Sequence, residues 1–100
     1  MLRITRTPEA FGRATLVLQG RIASEWAGIL ERECADAVRS GLRIALDLAG
    51  VTFISSSGVE ALSRLSRSGV AIFACPPLIA DLLGQEGIHV DRGPEGEVDA

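Results

Sequence analysis

Three consecutive hydroxyls followed by a glycine, Ser55-Ser56-Ser57-Gly58, are the residues of this chain best placed to do chemistry. A serine attacks as a nucleophile, takes a phosphate, or caps a helix by accepting a backbone N–H, and its neighbours decide which. Attack needs a base within hydrogen-bond reach; the sequence offers only His89 and contains no G-x-S-x-G elbow. Asp47 is a lone carboxylate near the end of an apolar run, so it must be hydrogen-bonded. It is expected to receive N–H groups from a turn over residues 50–57, or to help place a phosphate acceptor or metal beside the serines. With no partner acid or base it makes no catalytic site. Cys34 and Cys75 fall in neither a CxxC nor a metal-ligand spacing and read as small buried thiols of a reducing compartment. The chemistry therefore belongs to a capped or phosphorylated turn, with no metal and no cofactor.

Two segments must position that turn. Upstream, residues 42–48 form a nearly continuous apolar run of strand length, the pattern of a central parallel strand covered on both faces. Downstream, Val59, Leu62 and Leu65 recur on one stripe while Glu60, Arg64 and Arg67 occupy other faces, which predicts a helix over 58–67. The serines then stand at a helix N-terminus, where backbone N–H groups lack partners and the dipole favours negative charge. Ser57-Gly58-Val59-Glu60 fits a capping box, with Ser57 accepting from the Glu60 N–H and Glu60 reaching back to Ser57. Ser55 and Ser56 precede that cap and face solvent, and a phosphate on Ser56 lies close to the free N–H groups.

The remaining segments follow the same alternation. Residues 1–6 and 14–20 are β-rich and separated by a short Pro/Gly-containing loop, which predicts an antiparallel hairpin. A helix over 24–41 follows, with Ser24 as N-cap, Gly41 as stop, and Trp26, Leu30, Cys34, Ala37 and Val38 as its apolar stripe. Trp26 is expected to cover the end of the sheet, with partner anchoring as the other reading of a partly exposed tryptophan. After Ser68-Gly69, residues 70–75 read as another parallel strand. Pro76-Pro77 opens a helix that buries Leu78, Ile79, Leu82 and Leu83, and Gly84 or Gly87 closes it. Ile88-His89-Val90 is expected to form a last short strand. Beyond it the chain is acidic and Gly/Pro-bearing, so residues 92–100 are expected to be a mobile tail after one domain over 1–91. The sum is an α/β domain whose mixed, mostly parallel central sheet begins with an antiparallel hairpin and carries about three helices.

Composition excludes several classes. One hundred residues at 47% hydrophobic content suit one globular core without disulfides or metal. Ten basic residues, all arginine, against 13 acidic ones give a net charge of −3. The arginines are scattered singly along the chain, which argues against nucleic-acid binding. No apolar run reaches membrane-spanning length and no secretion signal is visible, so no membrane insertion is expected and the location is cytoplasmic. Walker-type and G-x-G-x-x-G loops are absent, and no small-molecule ligand is expected.

Residues 45–62, ALDLAGVTFISSSGVEAL, resemble the signature of the STAS domain, named for sulfate transporters and anti-sigma-factor antagonists. In that family an apolar strand ends in Asp-Leu-Ser-Gly-Val, followed by Phe-Ile/Met-Asp-Ser-Ser-Gly and a helix. The order of the other segments agrees over roughly residues 2–90. The resemblance implies the STAS fold and a cytoplasmic, non-enzymatic bacterial module of transcription regulation. Its partner would be an anti-sigma factor that is also a serine kinase, docking on Ser55, Ser56, Ser57, Gly58, Val59 and Glu60 with Asp47 in support. The serine matching the family's phosphorylated one is Ser56. Ser55 stands where the pattern has aspartate, so the acidic neighbour is missing; Ser55 is the second candidate acceptor. The same departure fits an alternative, the small cytoplasmic STAS subunit of a lipid-transport ABC system, partnered by its ATPase.

Overall fold

The computed structural model describes residues 2–7 and 11–91. In chain order the elements are β1 (Leu2–Arg6), β2 (Arg13–Ile22), α1 (Glu25–Arg39), β3 (Arg43–Ile54), α2 (Ser56–Arg67), β4 (Ala71–Phe73) and α3 (Pro77–Gln85). The sheet has the order β1-β2-β3-β4, with β1 antiparallel to β2 and β3 parallel to both β2 and β4. The expected hairpin and the expected central parallel strand are therefore both present. The expected tail over 92–100 lies outside the described residues.

Alternation decides which face of the sheet is covered. Leu16, Leu18, Ile44, Leu46, Leu48 and Ile72 point to one side. There they join Leu30, Cys34 and Ala37 of α1, Leu62 and Leu65 of α2, and Ile79 and Leu83 of α3 in one apolar cluster. Successive right-handed crossovers stepping in one direction along the sheet put their helices on the same face. The opposite face carries Thr15, Val17, Ala45, Asp47 and Phe73, all half-buried. Residues 42–48 are thus covered on one face and not on two: small Ala45 and charged Asp47 alternate with the large aliphatics, a period of two that the high apolar content conceals.

Each helix ends by the same device. The Gly41 N–H donates to the Val38 carbonyl and the Leu42 N–H to Ala37, while Gly69 and Val70 repeat the pattern on Ser66 and Leu65. These are paired C-terminal hydrogen bonds that require a left-handed residue, and Gly41 and Gly69 have φ of 88° and 98°. The residue after each glycine, Leu42 or Val70, turns back onto the core. At α3 the same role falls to Gly87 and Ile88, whose N–H donates to Leu83. This consumes the first residue of the expected strand at 88–90. Only an isolated bridge forms beyond it, from Phe73 to Asp91, and the strand is absent.

Two apolar side chains expected in the core lie outside it. Leu78 is 82% exposed because α3 buries the i, i+4 pair Ile79 and Leu83, and Leu78 is rotated off that stripe. Val38 is 42% exposed at the edge of a groove between α1 and α2.

Across that groove Arg64 holds Glu31 with two hydrogen bonds of 2.8 Å. These bonds hold the Glu31 carboxyl below its ordinary value of 4.5. A depressed carboxyl contributes stability that is complete above the unfolded value and is lost as pH falls through the folded one. A thermal melt series on the acid side of pH 4.5 is therefore expected to fall more steeply for the parent than for Glu31→Gln. The difference should be small, since Arg64 reaches solvent.

Candidate functional site

Between Asp47 and Ser55 the chain neither turns nor ends its strand. β3 continues to Ile54, and the residues expected to form a loop instead make two bulges. Val17 pairs with Asp47 but Gln19 with Gly50, and Gly20 pairs with Val51 but Arg21 with Phe53. At each place β3 holds one residue more than β2. The buried series on β2, Ala14, Leu16, Leu18 and Ile22, keeps a period of two, whereas on β3 it runs Ile44, Leu46, Leu48, Val51, Ile54. Each three-residue step contains a bulge. A side chain satisfies the backbone at both: the Ala49 N–H donates to Asp47 Oδ1 at 2.9 Å, and Thr52 Oγ1 donates to the Gly20 carbonyl at 3.2 Å. Asp47 therefore sits mid-strand and braces the first bulge. It receives its N–H from Ala49 and from no residue of the expected 50–57 turn.

The two bulges bring Ser55 against the end of β2, where its N–H donates to the Ile22 carbonyl at 3.0 Å. Ser55 is the N-cap of α2, with extended backbone and its Oγ accepting the Gly58 N–H at 3.2 Å. Ser57 Oγ lies 2.9 Å from Ser55 Oγ. The expected capping box is corrected here: the cap is Ser55, the helix starts two residues before the predicted residue 58, and Glu60 is an exposed residue of the second turn. The Ser57-x-x-Glu60 pattern is real as sequence, but the cap goes to the residue whose backbone is still extended. Ser55→Ala is expected to lower stability by about 1 kcal/mol, read as a urea midpoint shift. Glu60→Ala, which removes the acceptor, should leave the midpoint within about 0.5 kcal/mol of the parent, whereas a capping box would lose its reciprocal hydrogen bond.

Ser56 is the first residue of α2. It is exposed, and its hydroxyl has no protein partner among the described residues. The Ser56 and Ser57 N–H groups precede the first intrahelical bond, Val59 N–H to the Ser55 carbonyl. No acidic residue occupies the first turn. Gly58 is buried where the helix meets β2: a Cβ there would run into the Ile22 carbonyl oxygen and lie 2.8 Å from Ile54 Cγ2. Val59 is half-buried against the core. The structure thus brings Ser55, Ser56, Ser57, Gly58, Val59 and Glu60 together at the carboxyl end of the central strand, with Asp47 further back along it.

Beside the turn lies a surface that the spacing of residues did not announce. The Arg21 guanidinium stands over the Phe53 ring, 4.7 Å from its centroid, and Phe53 is 42% exposed. Arg21, Ser24 and Trp26 line a shallow hollow of about 430 Å³ at the start of α1. Trp26 is half-buried and packs against the core. Ser24 does not cap α1: with φ at 54° its side chain makes no cap hydrogen bond. Such a non-glycine backbone is strained. Spacing alone does not mark Phe53 as a surface residue, because the second bulge, between Val51 and Phe53, removes it from any regular alternation.

The other reactive residues are placed elsewhere. His89 Nε2 bonds to Asp91 Oδ1 at 2.8 Å, and is not brought to the serines. Burial pushes the Cys34 thiol up to about 12. It pushes Cys75 up to about 11, with the Asp47 carboxylate adding to the effect. Both are neutral thiols at physiological pH.

Neither a family model nor a curated protein sequence matches the chain. Solved structures do. The anti-sigma factor antagonist SpoIIAA in its unphosphorylated form superposes with a TM-score of 0.69 at 17% identity, over 96% of this chain and 94% of that one. An anti-sigma factor antagonist from Mycobacterium paratuberculosis gives 0.74 at 18% identity, over 97% and 90%. The Bacillus cell fate determinant SpoIIAA in its phosphorylated form gives 0.72 at 15% identity, over 96% of each chain. The mixed four-stranded sheet with three helices is therefore the STAS-like fold of these antagonists, as the sequence resemblance implied.

Proposed function

We propose that this STAS-like chain is a non-catalytic regulatory module of the anti-sigma-factor-antagonist kind. In this reading it docks a protein partner, an anti-sigma factor with serine-kinase activity, through the serine turn and the first turns of α2, and a phosphate on Ser56 switches that docking off. One observation carries the reading: of three adjacent serines, only Ser56 presents a solvent-facing hydroxyl without a protein partner among the described residues, and it does so on the first helical residue after the central strand. Ser55, the second candidate, is half-buried with its oxygen occupied by the Gly58 N–H. The missing aspartate is compatible with this arrangement, since Ser55 performs the capping that the turn needs.

A phosphate on Ser56 would add about −1.5 to −2 charges beside two unpaired N–H groups and the positive end of the α2 dipole. That end tolerates an anion, so the switch acts on the partner and leaves the fold intact. Glu60, four residues on, would add a like charge to the same exposed face. Phe53, Arg21 and Trp26 supply the aromatic and guanidinium types that dominate interface energetics.

Ser56→Asp is expected to melt within about 1 kcal/mol of the parent yet weaken partner binding by an order of magnitude or more, with Ser56→Ala binding as the parent does. The experiment is a tagged pull-down from host lysate with intact-mass and peptide mapping of the recovered chain. Recovery of a kinase-like anti-sigma factor with phosphate on Ser56 supports the proposal. Recovery of an ABC ATPase with unmodified serines replaces it with the transport reading, and partner affinity indifferent to Ser56→Asp removes the switch.

A further inference from the structure

Five of the ten arginines, scattered in the sequence, are gathered by the fold at the end of the molecule opposite the serine turn. Arg13 and Arg43 begin β2 and β3 and are direct register partners. Arg39 ends α1, and Arg64 and Arg67 lie in the last turn of α2. In a layer of parallel strands and returning helices, strand starts and helix ends share one edge. Arg43 N–H donating to the Gly12 carbonyl places Phe11 at that edge as well. Of the five arginines, Arg64 is bound to Glu31 and Arg39 is 3.4 Å from Asp36. Arg13, Arg43 and Arg67 have no carboxylate partner among the described residues. Glu86, which closes α3, is a further acid at this end among the described residues.

Helix dipoles account for Arg39, Arg64 and Arg67, because cations are favoured at helix C-termini. They do not account for Arg13 and Arg43. Like charges directly opposite on neighbouring strands oppose folding, and both side chains are exposed, with no hydrogen bond or ion pair among the described residues to offset the repulsion. Phe11 is as unexpected: it is fully exposed, and its φ of 56° is one that a bulky residue rarely adopts. Phe11 is thus a projecting apolar tip on a loop at the same end as these guanidinium groups. That shape suits a soft anionic surface better than a folded acidic partner.

We propose that this end docks on an anionic phospholipid bilayer, with Phe11 entering the interfacial region and Arg13 and Arg43, flanked by Arg39 and Arg67, against the headgroup phosphates. The net charge of −3 does not oppose it, since fields from a bilayer decay within about 10 Å at 0.1 M salt and reach only the near end. Docked this way, the chain lies on the membrane without spanning it and holds the serine turn outward.

The test is co-sedimentation of the full chain with vesicles of phosphatidylcholine containing about 30% phosphatidylglycerol, and with phosphatidylcholine alone, at about 50 mM salt. The anionic vesicles should pellet the protein and the neutral ones should not. Arg13→Gln with Arg43→Gln should weaken binding about ten-fold or more while melting no lower than the parent, because a repulsion is removed. Phe11→Ser should weaken it several-fold. Trp26, the only tryptophan, lies at the far end, so its emission should stay unshifted on binding. Absence of binding to the anionic vesicles, equal binding to neutral ones, an unaffected arginine double variant, a blue-shifted Trp26, or equally tight binding to duplex DNA would each overturn the assignment.

Discussion

Gly58→Ala should lower stability by about 3 kcal/mol or more, enough to move the melting temperature by roughly 15 °C in a chain of this size. The sign is the informative part. In an exposed helix, glycine to alanine stabilises by about 1 kcal/mol, and Gly58 is a helical residue. Against that gain stands the methyl group, which would overlap the Ile22 carbonyl oxygen and press on Ile54 Cγ2 and Ile22 Cγ2 at 2.8 and 3.0 Å. The carbonyl is main chain, already engaged by the Ser55 N–H, and cannot rotate aside as a side chain would. Relief comes only by moving the start of α2 away from β2, which carries Ser55 and Ser56 with it. Thermal melts of the variant and its parent decide the matter; a rise in melting temperature would mean that the helix does not approach β2 this closely.

Ile22→Ala should cost about 3 to 4 kcal/mol and is the complementary experiment. Ile22 is fully buried under the serine turn, so truncation leaves a cavity between β2, Ile54 and the start of α2. The double variant Ile22→Ala/Gly58→Ala should be no more stable than Ile22→Ala alone. Removing the side chain leaves the backbone oxygen where it was, and that oxygen is the main obstacle to a Cβ at residue 58. Rescue in the double variant would locate the conflict in the side chain. Denaturant unfolding of the four proteins closes the cycle. Ile22→Val, which keeps the Cγ atoms, should cost about 1 kcal/mol.

Both variants probe the joint between the ends of β2 and β3, and that joint is what the sequence alone conceals. Several features were legible without coordinates because they depend on neighbours in the chain. The β-rich run over residues 14–20, the helical stripe of Leu62 and Leu65, the glycine stops at Gly41 and Gly69, and proline at the start of α3 are local statements, and local physics decides them. Their order, a hairpin followed by crossovers, then limits the fold to few possibilities, and the resemblance over residues 45–62 selects the STAS-like one.

The rest depends on contacts between residues distant in sequence. Residues 50–54 fall in the expected turn over 50–57, yet β2 supplies partners for a strand there and Asp47 and Thr52 satisfy the backbone at the bulges. Ser57 and Glu60 have the spacing of a capping box, but the cap went to Ser55, because the Ile22 carbonyl holds the Ser55 N–H in line with the strand. Arginines with no linear clustering meet at one end only because parallel strands place their starts beside helix ends. Residue type and near spacing determined the first six elements in order, the opening of α3, and that serines would head the second helix. Tertiary structure decided which serine caps, which one stands free, and which charges become neighbours, since each of those rests on a hydrogen bond or a register between separate strands and helices.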